Sequence, residues 1–543
     1  MSDIKEIIGR ICPEATFEEG DTLLVNVPEK CWYPLAKQLK EDSSLSFDVL
    51  SAVVGMDWKE SVGVIYYLTS TSHDWGVLSV KVEAENREDA YIHSVSDLWK
   101  VANFQEREVY DMVGIKFINH PDMRRFFLRN DWVGHPLRKD YDANPELNPV
   151  RMEDEINEDD TRVYVEDETG KVVEKPAKVF EDGEYVVNIG PQHPSTHGVM
   201  RFRASINGEV VNKVDVVSGY IHRGIEKLSE SLTYPQILHF TDRMDYMSAH
   251  QNRHCLCMCI EKALGIEVPR RAQVIRVMMD ELMRISSHLL SFGCTAMDLG
   301  ATTAFFYGFR ERELVLDIFE KTCGARMSMN YNVIGGVIAD IHEDFVKDVK
   351  HLIEIMPSRL KEYHDVFSNN LIAKNRLKEV GLLTKEDAVN YAITGPSGRG
   401  SNWSCDCRKK HPYSIYSELD FEEVLETGCD SYARYMVRMK EIEQSCKILS
   451  QLVDNIPEGD IRAQVPKIIK LPAGRWYQQV EASRGTFGVY IESTGDKTPY
   501  RVHFQSPCFN LVGVMDLTCK GYMIADLITI GAALDFVIPD IDR

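Results

Sequence analysis

The stretch from Asn188 to Gly198 (NIGPQHPSTHG) holds two histidines, two prolines and two glycines within eleven residues. Imidazole is the side chain that gives and takes protons near neutral pH, so His193 and His197 are candidates for proton-linked chemistry. Residues 184–189 (EYVVNI) read as a strand leading into this stretch. Residues 199–206 and 209–217 alternate around Asn207-Gly208, the strongest short-range hairpin signal. The two histidines are therefore expected on a tight loop held by rigid strands, where function tends to concentrate. The alternative is a turn whose histidines only bond locally, and spacing alone leaves both open.

Other residues could also carry chemistry. Glu281, Arg284 and His288 fall at i, i+3 and i+7 of a helical pattern and share a face, as a proton-relay string or as an ion-pair network. Asp242, Arg243, Asp245 and Tyr246 precede His250 and His254, an i, i+4 pair. A zinc helix of that kind needs a glutamate after the first histidine, and Gln251 stands there. The thirteen cysteines include no C-x-x-C pair. Cys255, Cys257 and Cys259 alternate and do not share one helix face, and Cys405 and Cys407 have the same spacing. No metal site made by this chain alone is expected. Residues 395–401 (GPSGRGS) are loop material suited at most to an anion. The P-loop, the strand-linked G-x-G-x-x-G and the G-x-S-x-G elbow are all absent, so kinase and classical hydrolase readings have no support.

The elements that must position these residues follow from composition and periodicity. A chain of 543 residues, 44% hydrophobic and 27% charged, is long enough for two or three globular domains. Its net charge of −22 would repel nucleic acid. No apolar run reaches the roughly 18 residues of a membrane span, and the N-terminus (MSDIKEIIGR) carries no export signal. The chemistry of the cysteines is that of reduced thiols in the cytoplasm. Residues 1–150 read as a small α+β domain. Strands are expected at 22–27, 47–54, 62–69 and 77–82, with a helix at 33–40, giving helices on one face of a mainly antiparallel sheet. The polar run 106–141, with Trp132, Tyr141 and paired arginines, is expected to be an ordered arm at an interface rather than a solvated tail. Residues 151–184 hold 13 Asp/Glu against 5 Lys/Arg and read as an acidic linker needing no packed structure. Residues 185–543 are mainly helical, with apolar periodicity at 238–264, 270–292, 303–322, 344–369 and 429–452. Strand character returns at 476–481, 487–493 and 500–504. A helix at 522–533 precedes an extended tail to Arg543. The fold class is α+β: a small N-terminal α/β-sandwich-type domain, then a mainly helical domain with peripheral β-hairpins.

Two sets of long motifs cover nearly the whole chain outside the linker. Glu106-Arg107-Glu108, Asp111, Gly114-Ile115, His120-Pro121-Asp122, Arg124-Arg125 and the run Asp131 to Tyr141 (DWVGHPLRKDY) resemble the C subunit of bacterial respiratory complex I. Residues 190–198 (GPQHPSTHG), His222-Arg223-Gly224, Glu226-Lys227-Leu228, Asp242-Arg243, Asp245-Tyr246, Asp298 to Ala301 (DLGA), Glu311-Arg312, Gly324 to Met327 (GARM) and the ending Lys520 to Arg543 resemble its D subunit. The chain thus looks like a natural fusion of the two within the peripheral arm of an NADH–quinone oxidoreductase. The D subunit shares its fold with the large subunit of nickel–iron hydrogenases, which hold their metals with two C-x-x-C pairs. The corresponding stretches here read His222 to Lys227 (HRGIEK) and Asp540 to Arg543 (DIDR), so the resemblance implies a metal-free cavity in which a quinone head group docks.

The resemblance also implies roles. His197 and Tyr246 match the two head-group ligands, and Asp298 matches the acid paired with that histidine. A phenol and an imidazole can each donate a hydrogen bond, then a proton, to a quinone oxygen. Arg223 matches an arginine beside the terminal iron–sulfur cluster, which a partner subunit binds. Ubiquinone or menaquinone is the implied substrate. The implied partners are that cluster-bearing subunit, the rest of the peripheral arm and the membrane arm. The implied place is the cytoplasmic face of the bacterial inner membrane, as a peripheral protein of a proton-translocating complex. Two departures stand out. Ser328 follows Gly324–Met327 where many relatives carry a histidine, so the cluster potential is expected to be nearly independent of pH around neutrality. The segment between Asp460 and Trp476 is also shortened. The rival expectation is a metal-free scaffold subunit of a complex related to energy-converting hydrogenases, in which His197 and Tyr246 are mere core residues.

Overall fold

The computed structural model describes residues 2–142, 157–192 and 198–543. The N-terminal half is built on a five-stranded sheet in the order Thr16–Glu18, Leu23–Pro28, Leu78–Glu83, Val62–Thr69, Val49–Asp57. Its pairs are antiparallel, as expected, except Leu23–Pro28 with Leu78–Glu83, which is parallel. Alternation along Val62–Thr69 explains how both faces are used: successive side chains point to opposite sides. Val64, Tyr66 and Leu68 meet the helix Glu29–Glu41 through Trp32, Leu35 and Leu39. Ile65 and Tyr67 face the other way, and Tyr67 stacks on Tyr477 of the second half with ring centroids 4.7 Å apart. The helix Ala102–Val113 lies so close to the sheet that a Cβ on Gly55 would sit 2.9 Å from a Val113 methyl.

The acidic stretch reads as needing no packed structure, but part of it folds. Asp160–Glu166 and Val172–Lys178 form an antiparallel hairpin. It extends a second sheet, in the order Tyr91–His93, Lys116–Ile118, then the two hairpin strands. Tyr164 is buried against Tyr91, with the Lys116 ammonium over its ring. An edge hairpin buries few residues and tolerates charge and proline on its open side, where Pro176 lies. Its composition is therefore the same as that of a linker.

The second half opens with the expected hairpin, enlarged to a three-stranded sheet: Tyr185–Gln192, Met200–Asn207, Val210–Val217. The bundle centres on the helix Arg270–Asp298, in which every residue from 274 to 293 is buried. Such a helix has no solvent face, and its charges must pair inside. Thr302–Cys323 and Ser431–Leu452 pack along it. A three-stranded antiparallel sheet, Ala473–Ala482, Gly485–Thr494 and Arg501–Gln505, joins this bundle to the N-terminal half.

Two expectations are corrected. The span 238–264 is not one helix: Tyr234–Met244 ends at Asp245, and Ala249–Leu264 begins after Ser248. Asp245 Oδ1 accepts the Met247 N–H at 3.0 Å, an Asx turn that competes with the helical ladder. The C-terminal tail is not extended throughout, since Ile538–Asp542 forms a buried helical turn with Pro539 in its first turn, where a missing N–H costs nothing. Among the described residues, no helix is long and apolar enough to cross a membrane.

The arm 119–142 is ordered and is an interface within the chain. Arg124 Nη1 bonds Asp215 at 3.1 Å. Lys139 pairs with Glu230 at 2.9 Å, and the Phe127 ring stacks on His222 at 4.9 Å.

Candidate functional site

The break at Asp245 sets Tyr246 between two helices rather than on one. Its side chain is half-buried. Behind it stands Arg484, at the tip of the hairpin joining Ala473–Ala482 to Gly485–Thr494, and only 1% exposed. Its Nη1 lies 3.1 Å from Asp245 Oδ2 and 3.1 Å from Ser287 Oγ. Its Nη2 lies 3.1 Å from Met247 Sδ and 3.4 Å from Asp535 Oδ1. Burial pushes the Tyr246 phenol above its usual pKa, and the Arg484 and Arg312 guanidiniums oppose that while Asp245 and Cys294 add to it. Cys294 in turn is pushed up to about 12, by burial first and then by the charges of Asp535 and Asp298. Tyr246 and Arg312 thus lie close to Cys294, which stands one turn before Asp298 on the helix Arg270–Asp298.

His193 and His197 lie outside the described residues. Gly198, next in the chain, is described: its φ is +148°, and a Cβ there would sit 2.5 Å from Ile538 Cβ. Gly198 is therefore pressed on the C-terminal helix. That helix also holds the segment leading to Arg223. Asp542 Oδ1 accepts from Ser218 Oγ at 2.7 Å and Gly219 N at 2.9 Å, and Oδ2 accepts from Ile221 N at 3.0 Å. Arg223 is exposed, with Nη2 donating to the Arg243 carbonyl at 3.0 Å. Asp540, fully buried on the same turn, has its carboxyl pushed up to about 6 by burial and the nearby Asp245 charge.

The face shared by Glu281, Arg284 and His288 is split between partners. Glu281 lies 3.3 Å from Arg284, 3.1 Å from Arg408 and 2.7 Å from the Tyr416 hydroxyl. His288 Nε2 instead meets Glu441 at 2.8 Å, and Glu441 is bonded by Arg399 at 2.6 Å. Burial pushes His288 below its usual value, whereas the Arg399 guanidinium overcomes burial and holds Glu441 well below the carboxylate range. Arginine does not give up its proton, so these arginine-bridged acids form an ion-pair network rather than a proton wire. The helical pair does not meet on one ligand either: His254 bonds Asp280 at 2.6 Å, and His250 packs on Phe319. Glu108, Glu226 and His503 bring three donor atoms together. Two guanidiniums already serve them: Arg501 bonds Glu226 at 2.7 Å, and Arg543 bonds Glu108. Residues from motifs of both halves, Glu108, Glu226 and Arg543, meet there.

Sequence reasoning missed Arg484, Asp535 and Cys294. Nothing in their spacing links positions 245, 484 and 535, which only tertiary packing joins. Arg312 and Asp535 were within reach, since Glu311-Arg312 and the ending Lys520 to Arg543 belong to the recognised motifs.

Comparison with known proteins agrees with this two-part construction. Residues 25–146 match the family described as respiratory-chain NADH dehydrogenase, 30 Kd subunit, and residues 298–543 match the 49 Kd subunit. The chain is 55% identical to the C/D subunit of NADH-quinone oxidoreductase from Phocaeicola vulgatus over 508 residues, 93% of this chain and 97% of that protein. It is likewise 55% identical to the C/D subunit from Bacteroides fragilis over 519 residues. The D subunit of NADH-quinone oxidoreductase from Bacillus cereus is 44% identical over 362 residues, which are 98% of that protein but 66% of this chain. The chain belongs to the family of fused C/D subunits of NADH-quinone oxidoreductase.

Proposed function

We propose that this subunit of the NADH–quinone oxidoreductase forms one wall of the chamber where quinone is reduced, with Tyr246 as a proton donor to the head group. The observation that supports it is the placement of a half-buried phenol at a helix break, close to the charges of Arg312 and Arg484 and to Cys294 on the helix that ends in Asp298. Reduction of a quinone takes two electrons and two protons and leaves a hydroquinone. An iron–sulfur cluster held by a partner subunit would supply the electrons, and the fixed charge of the exposed Arg223 would favour its reduced form. The Tyr246 hydroxyl donates one hydrogen bond and then one proton to a quinone oxygen, and His197 supplies the other. Asp298 is the acid that the family resemblance pairs with His197, and a carboxylate in that role would favour the charged imidazole. The chain carries the quinone wall, not the electron path, and acts only in the assembled complex, as a peripheral subunit on the cytoplasmic face of the bacterial inner membrane. The hydrogenase-related scaffold reading is not favoured, since the relatives that match 93% of the chain carry the oxidoreductase name.

Tyr246→Phe removes one hydroxyl and keeps the ring. In membranes, quinone reductase activity should fall by about tenfold or more, equivalent to about 1.4 kcal/mol at the transition state. Assembly on a native gel should be unchanged. Full activity in the assembled variant would remove Tyr246 from the chemistry and return the chain to a scaffold role.

A further inference from the structure

Tyr246 is flanked in sequence by Asp245 and Met247, and one guanidinium holds both neighbours. Arg484 Nη1 meets the Asp245 carboxylate at 3.1 and 3.4 Å, and Nη2 meets the Met247 sulfur at 3.1 Å. The same fork reaches Ser287 on the helix that ends in Asp298, and Asp535, three residues before the Ile538 on which Gly198 rests. Ser483, beside it at the hairpin tip, is fixed in turn: its N–H and hydroxyl both bond Gln251 Oε1, at 3.1 and 3.0 Å.

We infer that Arg484 is the positioning residue for Tyr246, fixing the phenol against the helix that ends in Asp298 and against the C-terminal segment on which Gly198 rests. Three features carry this. The hold is two-point, one nitrogen on each side of Tyr246, so it restrains rotation of that residue as a single contact cannot. The fork is planar and rigid, which the single ammonium of a lysine does not reproduce. The site is buried and its charges balance, with Arg484, Asp245 and Asp535 all buried and Arg438 3.5 Å from Asp535. Arg484 does not touch the reacting atoms; it acts through Tyr246, and the inference rests on the reading of Tyr246 as the quinone-side donor.

The test is a double-mutant cycle in membranes carrying the whole complex, with the parent, Tyr246→Phe, Arg484→Lys and the double variant. Quinone reductase kcat and KM are measured, with NADH oxidation by ferricyanide, an acceptor reached upstream of the quinone, as the count of assembled complex. Arg484→Lys should lower kcat by about tenfold in the parent background. In the Tyr246→Phe background, where no hydroxyl is left to misplace, it should lower kcat by less than about twofold. KM should change by less than about threefold. An equal factor in both backgrounds overturns the positioning role alone, because a merely structural defect is additive. A Tyr246→Phe variant with full activity overturns the donor reading, and the positioning role with it. Should Arg484→Lys leave no ferricyanide activity, Met247→Leu goes through the same cycle, since it removes only the sulfur contact at nearly constant volume. A loss of about threefold confined to the tyrosine background is expected there, and equal loss in both overturns the inference.

Discussion

Glu106 shows how far one buried carboxyl can set the pH response of the chain. It is fully buried, and its oxygens accept from Ser94 Oγ at 2.6 Å and the Val95 N–H at 2.9 Å. The nearest base, His120 at 3.9 Å, is itself pushed down to about 4 by burial and is neutral at pH 7. Among the described residues no cation offsets its burial, and Glu106 is raised from 4.5 to about 8. A raised folded-state value means that the folded chain holds a proton the unfolded chain has already lost. Its contribution to stability is complete below about pH 4.5 and is lost as pH rises to about 8, on the order of a few kcal/mol. Glu106→Gln keeps an acceptor for the Val95 N–H, and its amide N–H donates to Ser94 Oγ instead of accepting from it, without a titrating group. Melting temperatures of the purified chain should therefore fall less between pH 5 and 8 in the variant than in the parent (the two differing by about 2 °C or more at pH 8). Parallel slopes would show that Glu106 is solvated or paired. The sequence places Glu106-Arg107-Glu108 in an ordered interface run, but only the fold shows that all three are buried and that Glu106 has no charged partner to offset its burial.

At the scale of elements, the sequence shows most where a single period governs. The apolar repeat through Val274, Val277, Leu282, Ile285 and Leu289 marks a helix that the structure extends to Asp298, and Asn207-Gly208 marks the turn between Met200–Asn207 and Val210–Val217. It shows least where a side chain from elsewhere ends an element. The break after Met244 depends on Asp245, whose partner Arg484 lies on a distant hairpin, so the run 238–264 looks continuous. Close approach of backbones is equally silent. Gly219 has a φ of +92°, and a Cβ there would lie 2.0 Å from the Phe127 carbonyl oxygen. That contact is where the arm of the N-terminal half meets the segment leading to His222 and Arg223. Gly208 also has a positive φ, +64°, but nothing stands within 4 Å of its Cβ position. Gly208→Ala should cost only the left-handed backbone penalty of about 1 kcal/mol. Gly219→Ala must move Phe127 as well, and should lower assembly on native gels well below that of Gly208→Ala. Equal behaviour of the two would mean that the arm yields freely at Phe127.

At the scale of the molecule, the two halves share one core, held by contacts besides the covalent link. Phe126 and Phe127 of the first half pack with Phe509 of the second, and the Tyr67 ring lies on Tyr477. Gln105 bonds Asn510 at 3.1 Å, and the Tyr500 hydroxyl donates to the Asp57 carbonyl at 2.8 Å. The link adds its own ties: Arg201 bonds Glu158 at 2.7 Å, and Lys213 donates to the Val179 carbonyl at 2.6 Å. What covalent fusion contributes is effective concentration during assembly, which matters little once a large interface has formed. The Bacillus cereus D subunit, a separate protein matching two-thirds of this chain, is in keeping with that. The tip of the linker hairpin, Asp167 to Lys171, is exposed and closed by bonds from Thr169 and Lys171 to Asp167 Oδ1. A protease site placed there leaves both strands of the hairpin paired after cleavage. The cut chain should therefore elute as one species in gel filtration at moderate salt, and cut complex should keep its quinone reductase activity. Separation of the halves would show that their interface is weaker than its buried aromatic and ionic contacts imply, and that the covalent link holds the quinone wall to the arm.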